Sequence, residues 1–254
     1  MASTAASSSP SHIPPTSHLL LFAKVPSAGS SKTRLIPRLG PVGASDFALA
    51  ALTDVLHLFT TLSPAIQKTI FYAPASSRSA ISSLVSSRQL LEEWSVQPQS
   101  ESASGTAEDL GWRLSSALSQ IGSSDVKSGS VTFIGMDCFT LLPAHVEDSI
   151  RLVTETGKAH MIPAVDGGYV LLTVPADCPA AVFRGIPWSC EETGRMQRER
   201  LEESGVGCLV GAEMADVDEV EDLDRLLDEV TGGRMVTLSS THPRTAASLE
   251  GLEN

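Results

Sequence analysis

The sequence predicts a three-layer α/β sandwich built on a mainly parallel sheet. Three observations point there. Short apolar runs such as Leu19–Ala23 and Val131–Ile134 lack polar alternation, as strands buried on both faces do. Between such runs lie segments with apolar residues at helical period. Strand and helix patterns then alternate to about residue 230, the order that lays helices over both faces of a parallel sheet.

Each element has its own warrant. His18–Lys24 is the first strand, followed by a loop at Pro26–Gly29. Pro41–Ser63 reads as a helix because Phe47, Ala50, Ala51, Val55, Leu58 and Leu62 share one face. Lys68–Ala73 is a second strand, Ser76–Ser87 a weak Ser-rich helix and Trp94–Gln97 a short strand. Gln97–Thr106 is polar and loop-like. Ala107–Ile121 is a helix that turns Leu110, Leu114, Ala117, Leu118 and Ile121 to the core. Val131–Ile134 ends at Gly135 and leads to a helix over Ala144–Thr156. Ala159–Pro163 and Tyr169–Val174 are strands separated by Asp166-Gly167-Gly168. A charged helix (Cys190–Ser204), a strand (Val206–Val210) and a last helix (Val220–Val230) follow. One domain is expected over residues 18–231. Residues 1–17, rich in Ser, Ala and Pro, are expected to be disordered and to carry no secretory or mitochondrial signal. Residues 232–254 are expected to form a loose polar tail.

Composition excludes several functions. A net charge of −12 argues against nucleic-acid binding, which needs clustered Lys and Arg. It does not argue against a nucleotide, which needs only a few local cations. No apolar run approaches the ~18–20 residues of a membrane span, so a soluble cytoplasmic protein is expected. Cys138, Cys178, Cys190 and Cys208 show no metal-type pairing and are expected as free thiols. The six histidines have no zinc-ligand spacing.

Six constellations carry candidate chemistry. After the first strand, Lys24, Lys32 and Arg34 gather around a loop containing Gly29, in a chain that is otherwise acidic. Loop N–H groups and these cations could surround a di- or triphosphate. The loop is neither a Walker P-loop nor a dinucleotide fingerprint, and a solvated basic loop is the plainer alternative. Asp137 stands just past a buried strand, on the sheet edge where α/β ligands bind; it could instead cap a helix. In Asp216-Val217-Asp218, the two carboxylates fall on one side of an extended segment and could complete a divalent site. Glu219–Asp222 reads as a helix N-terminus. Asp166-Gly167-Gly168-Tyr169 presents a carboxylate on a tight turn, which is also a common hairpin sequence. Trp188, in Gly185-Ile186-Pro187-Trp188-Ser189, reads either as a substrate platform or as a buried anchor. Asp109, in Glu108-Asp109-Leu110-Gly111, either lines a base pocket or simply opens an acidic helix.

These segments, taken in order, resemble one family. Phe22–Leu35 resembles Phe-Ala-Lys-x-Pro-x-x-Gly-x-x-Lys-Thr-Arg-Leu, Glu108–Leu114 resembles Gly-Asp-Leu-Gly-x-Arg-[Leu/Met], and Gly135–Leu141 resembles Gly-x-Asp-Cys-Pro-x-Leu. The match is to glycosyltransferase-like proteins often labelled arsenosugar-biosynthesis glycosyltransferases, which resemble the GT-A nucleotide-diphospho-sugar transferase fold. It covers roughly Leu19–Leu227. The resemblance implies that Asp137 and Asp218, with Asp216 assisting, hold Mg²⁺ or Mn²⁺. It implies that Lys24, Gly29, Lys32, Arg34 and Asp109 meet the nucleotide and its phosphates. Asp166 would act as base or orienting carboxylate, with Gly167, Gly168, Tyr169 and Trp188 at the substrate. Phe139, Met136, Glu108 and Trp112 depart from the family pattern, so base or donor choice is expected to differ. The expected partners are a nucleotide sugar and a small-molecule acceptor. Nucleotidyl transfer from a triphosphate to a phosphate or phosphonate is the alternative, and a non-catalytic nucleotide-binding protein a third reading.

Overall fold

In a computed structural model, the structure describes residues 17–101, 109–122, 129–229 and 235–249. Seven strands form one sheet: β1 (Ser17–Lys24), β2 (Ile66–Ala73), β3 (Trp94–Pro98), β4 (Ser130–Ile134), β5 (Ala159–Pro163), β6 (Tyr169–Pro175) and β7 (Cys208–Val210). Their spatial order is β3-β2-β1-β4-β6-β5-β7. The pairs β3–β2, β2–β1, β1–β4 and β5–β7 are parallel. Only β6 runs backwards, antiparallel to both β4 and β5. The sheet is therefore mixed, with a single reversed strand.

The helices are α1 (Ile36–Leu58), α2 (Arg78–Ser87), α3 (Asp109–Gly122), α4 (Pro143–Thr156), α5 (Thr193–Glu203), α6 (Val220–Glu229), α7 (Met235–Thr241) and α8 (Pro243–Leu249). Alternation along β1 shows why there are three layers. Leu19, Leu21 and Ala23 pack on one face with Leu52 and Val55 of α1, Ile81 of α2 and Ile150 of α4. Leu20 points to the other face, among Leu114 and Leu118 of α3 and Leu201 of α5. The two-sided burial inferred from the sequence follows from this.

The helix expected from Pro41 gains a turn upstream. Gly40 sits at φ 70° and ψ 168°, and this break joins Ile36–Leu39 to the helix that Pro41 begins. The helical stretch Thr33–Thr61 is long and apolar enough to cross a membrane by length and composition, contrary to the expectation from sequence, and 56% of its most apolar window is buried in the fold. It is a core helix, packed between the sheet and α8. Of the residues expected on its core face, Phe47, Ala51, Val55 and Leu62 are buried, whereas Ala50 and Leu58 are partly exposed.

Part of the expected loose tail is also ordered. Within residues 232–254, α7 and α8 pack Leu238, Ala246 and Leu249 into a third cluster with Phe47, Ala51 and Leu223. The attachment is polar at its centre. Asp54, buried in α1, accepts from the Thr245 N–H at 2.7 Å, the Thr245 hydroxyl at 3.0 Å and Arg244 at 3.1 Å. Its carboxylate thus serves the N-terminal turn of α8, where free N–H groups and the helix dipole favour an anion. All four cysteines are free. The expected disorder of residues 1–17 concerns, apart from Ser17, residues outside those described.

Candidate active site

Chain order moves outward through β1, β2 and β3, then returns to place β4 on the other side of β1. The gap past the C-terminal ends of β1 and β4 is therefore a topological switch point, where open α/β sheets bind ligands. The two most distinctive sequence motifs meet there. The loop leaving β1 is closed by its own hydrogen bonds: Lys24 Nζ donates to the Ser30 carbonyl at 2.5 Å, Ser27 N–H to Ser31 Oγ at 2.9 Å, and the Ser30 and Ser31 N–H groups to the Ser27 carbonyl at 3.1 Å. Gly29 turns this loop at φ 76°, with open space where a side chain would stand.

Lys32 follows in a left-handed conformation, φ 46° and ψ 47°. For a residue with a Cβ this is an uncommon, strained state. It sends the side chain inward, where the ammonium lies 2.8 Å from Asp137 Oδ1, 3.1 Å from Asp218 Oδ1 and 2.6 Å from the Val217 carbonyl. The Lys32 side chain is only 7% exposed. Burial disfavours its charge, but the Asp137 and Asp218 carboxylates outweigh that and hold its pKa above the usual lysine value. Arg34 differs. It is 58% exposed and reaches Asp218 at 3.1 Å and Glu219 at 3.4 Å. Of the three expected phosphate cations, Lys24 and Arg34 are open to solvent, while Lys32 lies beneath them, clamping β4 to the segment before α6. A backbone bond from Val217 N–H to the Asp137 carbonyl, 3.0 Å, closes the same junction.

Asp216 and Asp218 both line the large groove but have different near partners. Asp218 reaches Lys32 and Arg34, whereas Asp216 lines a separate cavity with Asp166. Burial, then the Asp166 charge, with Asp137 and Asp218 adding to it, raise the Asp216 carboxyl to about 6. Asp222 does what the sequence suggests, accepting from the Glu219 N–H at 2.9 Å and the Asp218 N–H at 3.1 Å at the start of α6. In kind, the donor set suits a hard divalent ion: four carboxylates crowd one edge and one of them resists ionisation. In arrangement, Lys32 stands between two of them, and no ready-made group of three ligating side chains occurs among the described residues.

Asp166-Gly167-Gly168 is more than a hairpin turn. Asp166 is exposed and its Oδ1 accepts from the Gly168 N–H at 2.8 Å. A Cβ on Gly167 would lie 2.2 Å from the Glu191 carbonyl oxygen, and one on Gly194 would lie 2.8 Å from that of Gly168. The two glycine segments are built to let the 189–193 loop approach, and Gly194 N–H donates to the Gly167 carbonyl at 2.8 Å. Trp188 is buried, edge-on to Tyr169 with centroids 6.4 Å apart. Its indole rests on α3, where a Cβ at Gly111 would meet the Phe183 carbonyl at 2.3 Å and the indole nitrogen at 2.8 Å. Tyr169 donates to Gln197 at 3.4 Å, and burial raises its pKa. Gly111, Gly194 and Gln197 escaped sequence reasoning as supports of the site. The run Glu108-Asp109-Leu110-Gly111 contained Gly111, but its partners lie some 70 residues away. Asp109 opens α3, and its side chain and Glu108 lie outside what is described.

Three hollows with shared lining residues lie along this edge. A pocket of about 240 Å³ contains Lys24, Lys32, Arg34, Asp137 and Asp218. A cavity of about 230 Å³ lies beside it, sharing Phe22. A groove of about 990 Å³ touches both, through Arg34 and Asp218 on one side and Asp166 and Asp216 on the other.

Residues 60–190 match the model of the DUF2064 family, described as uncharacterized proteins conserved in bacteria. The chain belongs to the DUF2064 family. The matched part of this DUF2064 member holds Asp137, Asp166–Tyr169 and Trp188, whereas Lys32, Arg34, Asp216 and Asp218 lie outside it. No curated protein matches the chain. Among solved structures it is similar to a candidate nucleotide-diphospho-sugar transferase from Desulfovibrio desulfuricans G20, with 24% identity, a TM-score of 0.76, and 93% of this chain and 96% of the other covered. It is also similar to a cytidylyltransferase from Leptospira borgpetersenii, with 11% identity, a TM-score of 0.54 and coverages of 92% and 97%. A third is 4-diphosphocytidyl-2C-methyl-D-erythritol synthase from Anaerococcus prevotii, with 9% identity, a TM-score of 0.51 and coverages of 85% and 97%. At these identities the likeness establishes the fold, which is the one the motif resemblance implied.

Proposed function

We propose that the protein is a transferase that takes a nucleotide-bearing donor, and that its reaction is glycosyl transfer from a nucleotide diphosphate sugar to a small acceptor. The observation that carries this is the meeting of the Lys24–Arg34 loop with Asp137 and Asp218 at the switch point between β1 and β4. The exposed Lys24 and Arg34 neutralise the donor's phosphates, and Gly29 admits them closely. Lys32 fixes the loop and the two carboxylates in register. Asp166, on the acceptor side, orients the attacking hydroxyl and takes its proton. The acceptor oxygen bonds to the anomeric carbon, the bond from that carbon to the diphosphate oxygen breaks, and nucleoside diphosphate departs. Positioning and charge stabilisation on the leaving phosphate supply most of the acceleration.

Mg²⁺ or Mn²⁺ belongs to the same reading. Asp137 and Asp218 would hold it with Asp216 assisting, and it would supply Lewis-acid stabilisation of the leaving diphosphate. The label of arsenosugar biosynthesis has only the motif resemblance behind it. The Lys-x-Arg spacing after β1 favours a second reading, nucleotidyl transfer from a triphosphate. Incubation with nucleotide sugars, and separately with nucleoside triphosphates, separates the readings. Nucleoside diphosphate release supports the first and pyrophosphate release the second, while binding without turnover of any donor would leave a non-catalytic nucleotide-binding protein. Asp137→Ala, a change past the strand end, should abolish turnover while leaving the melting temperature within a few degrees of the parent. Near-parental turnover would remove Asp137 from the site.

A further inference from the structure

We propose that the acceptor site selects a neutral or cationic small molecule with a flat apolar body, and rejects anions. This rests on the transferase reading above and adds the chemistry of its second substrate. The cavity of about 230 Å³ is walled by Phe22, Leu110, Leu114, Phe133, Tyr169 and Trp188. Its only charged lining groups, among the described residues, are Asp166 and Asp216. Both also line the large groove, so they stand where the cavity opens. A ligand ring can lie against the aromatic wall while a hydroxyl or ammonium meets the carboxylates.

The approach has the same sign. Among the described residues, seven carboxylates line the large groove against two arginines. Arg225 is engaged by Asp222 at 2.5 Å, and Arg34, the cation assigned to the donor's phosphates, stands where the groove borders the neighbouring pocket. A carboxylate or phosphate entering the cavity between Asp166 and Asp216 would face repulsion and lose water without gaining a cation from its lining. The neighbouring pocket gathers Lys24, Lys32 and Arg34 against Asp137 and Asp218, so cations are in excess there. The groove is thus divided by charge into a basic donor half and an acidic acceptor half. Leu110 bears on the same cavity. Helical period assigns it to the core with Leu114, yet it lines this cavity and is 37% exposed. The acidic half also speaks against a phosphate or phosphonate acceptor, which nucleotidyl transfer of the kind considered above would require.

Ring-matched probes test this on the full chain. Benzylamine, benzyl alcohol and benzoate are titrated by calorimetry, with inorganic pyrophosphate as the probe of the basic half. The expected order is benzylamine, then benzyl alcohol, then benzoate, with at least tenfold between the first and last, narrowing as salt rises. Leu110→Trp fills the cavity from a half-exposed position and should abolish benzylamine binding while leaving pyrophosphate binding intact, which also shows that the variant is folded. Benzoate binding as tightly as benzylamine, or benzylamine binding unchanged in Leu110→Trp, overturns the proposal. Benzylamine binding without pyrophosphate binding supports the ligand class and removes the transferase reading beneath it. Pyrophosphate binding without benzylamine binding does the reverse.

Discussion

Lys32 and Arg34 lie two positions apart, yet they divide structure from recognition. The sequence marked both as phosphate cations because both follow a Gly-containing loop. It could not show that a left-handed backbone turns Lys32 inward, since that depends on carboxylates 105 and 186 positions further on. Lys32→Ala should therefore destabilise the fold by about 2 kcal/mol, because Asp137 and Asp218 lose a charged hydrogen-bond donor. Arg34→Ala should change stability by less than ~0.5 kcal/mol, as exposed ion pairs contribute little, but weaken nucleoside diphosphate binding roughly tenfold. Urea unfolding and calorimetric titration of the two variants check this. Equal stability losses would mean that Lys32 is no more structural than Arg34. Arg34→Lys should recover only part of the lost affinity, since it keeps the charge without the planar fork.

Among the elements, every strand was legible: β1 and β4 from unbroken apolar runs buried on both faces, and the half-exposed edge strands β3 and β7 from short apolar or β-branched segments between polar ones. What stayed hidden depended on distant partners. α7 and α8 offer few apolar residues and are held by Asp54, which sits mid-helix in α1 and looks, in sequence, like any surface carboxylate. Asp54→Ala leaves Arg244 and two Thr245 donors without their acceptor and should cost about 3 kcal/mol, with residues 235–249 becoming the first site of protease attack. An unchanged denaturation midpoint and cleavage pattern would mean the helices dock without it. On the opposite face, Gly111 could be seen as part of a motif but not as a contact. A Cβ there meets both Trp188 and the Phe183 backbone, so Gly111→Ala should destabilise by about 1–3 kcal/mol and weaken benzylamine binding, as the indole is pushed into the cavity. Parental stability and binding in this variant would show that α3 can shift to make room.

Across the whole molecule, the buried histidines set the acid limit of stability. Burial lowers the pKa of His18, His160 and His242, the last to about 4, with the Asp54 charge offsetting burial only in part. Each is neutral in the fold and binds a proton more readily once unfolded. Stability is therefore full above the ordinary value of 6.5 and falls as pH drops from there, for His242 over the window down to about 4 and by up to about 3 kcal/mol. Asp216 acts in the opposite sense. Its carboxyl titrates near 6 rather than 3.8, so stability present at low pH is lost as pH rises through about 6. Denaturation midpoints measured from pH 4 to 8 should rise to about pH 6.5, and His242→Gln should flatten that slope. A slope unchanged by the substitution would assign it to other groups. The reversal of β6 has a consequence for engineering. Running against β4 and β5, it brings the β5–β6 connection, with Asp166, to the same rim as the ends of β1 and β4. The opposite rim, with the turns at Ser63–Ala65 and Gly157, carries none of the proposed site residues. Tags, surface immobilisation or new chain ends belong on that blind side, while acceptor preference can be re-evolved by exchanging rim loops over an untouched sheet.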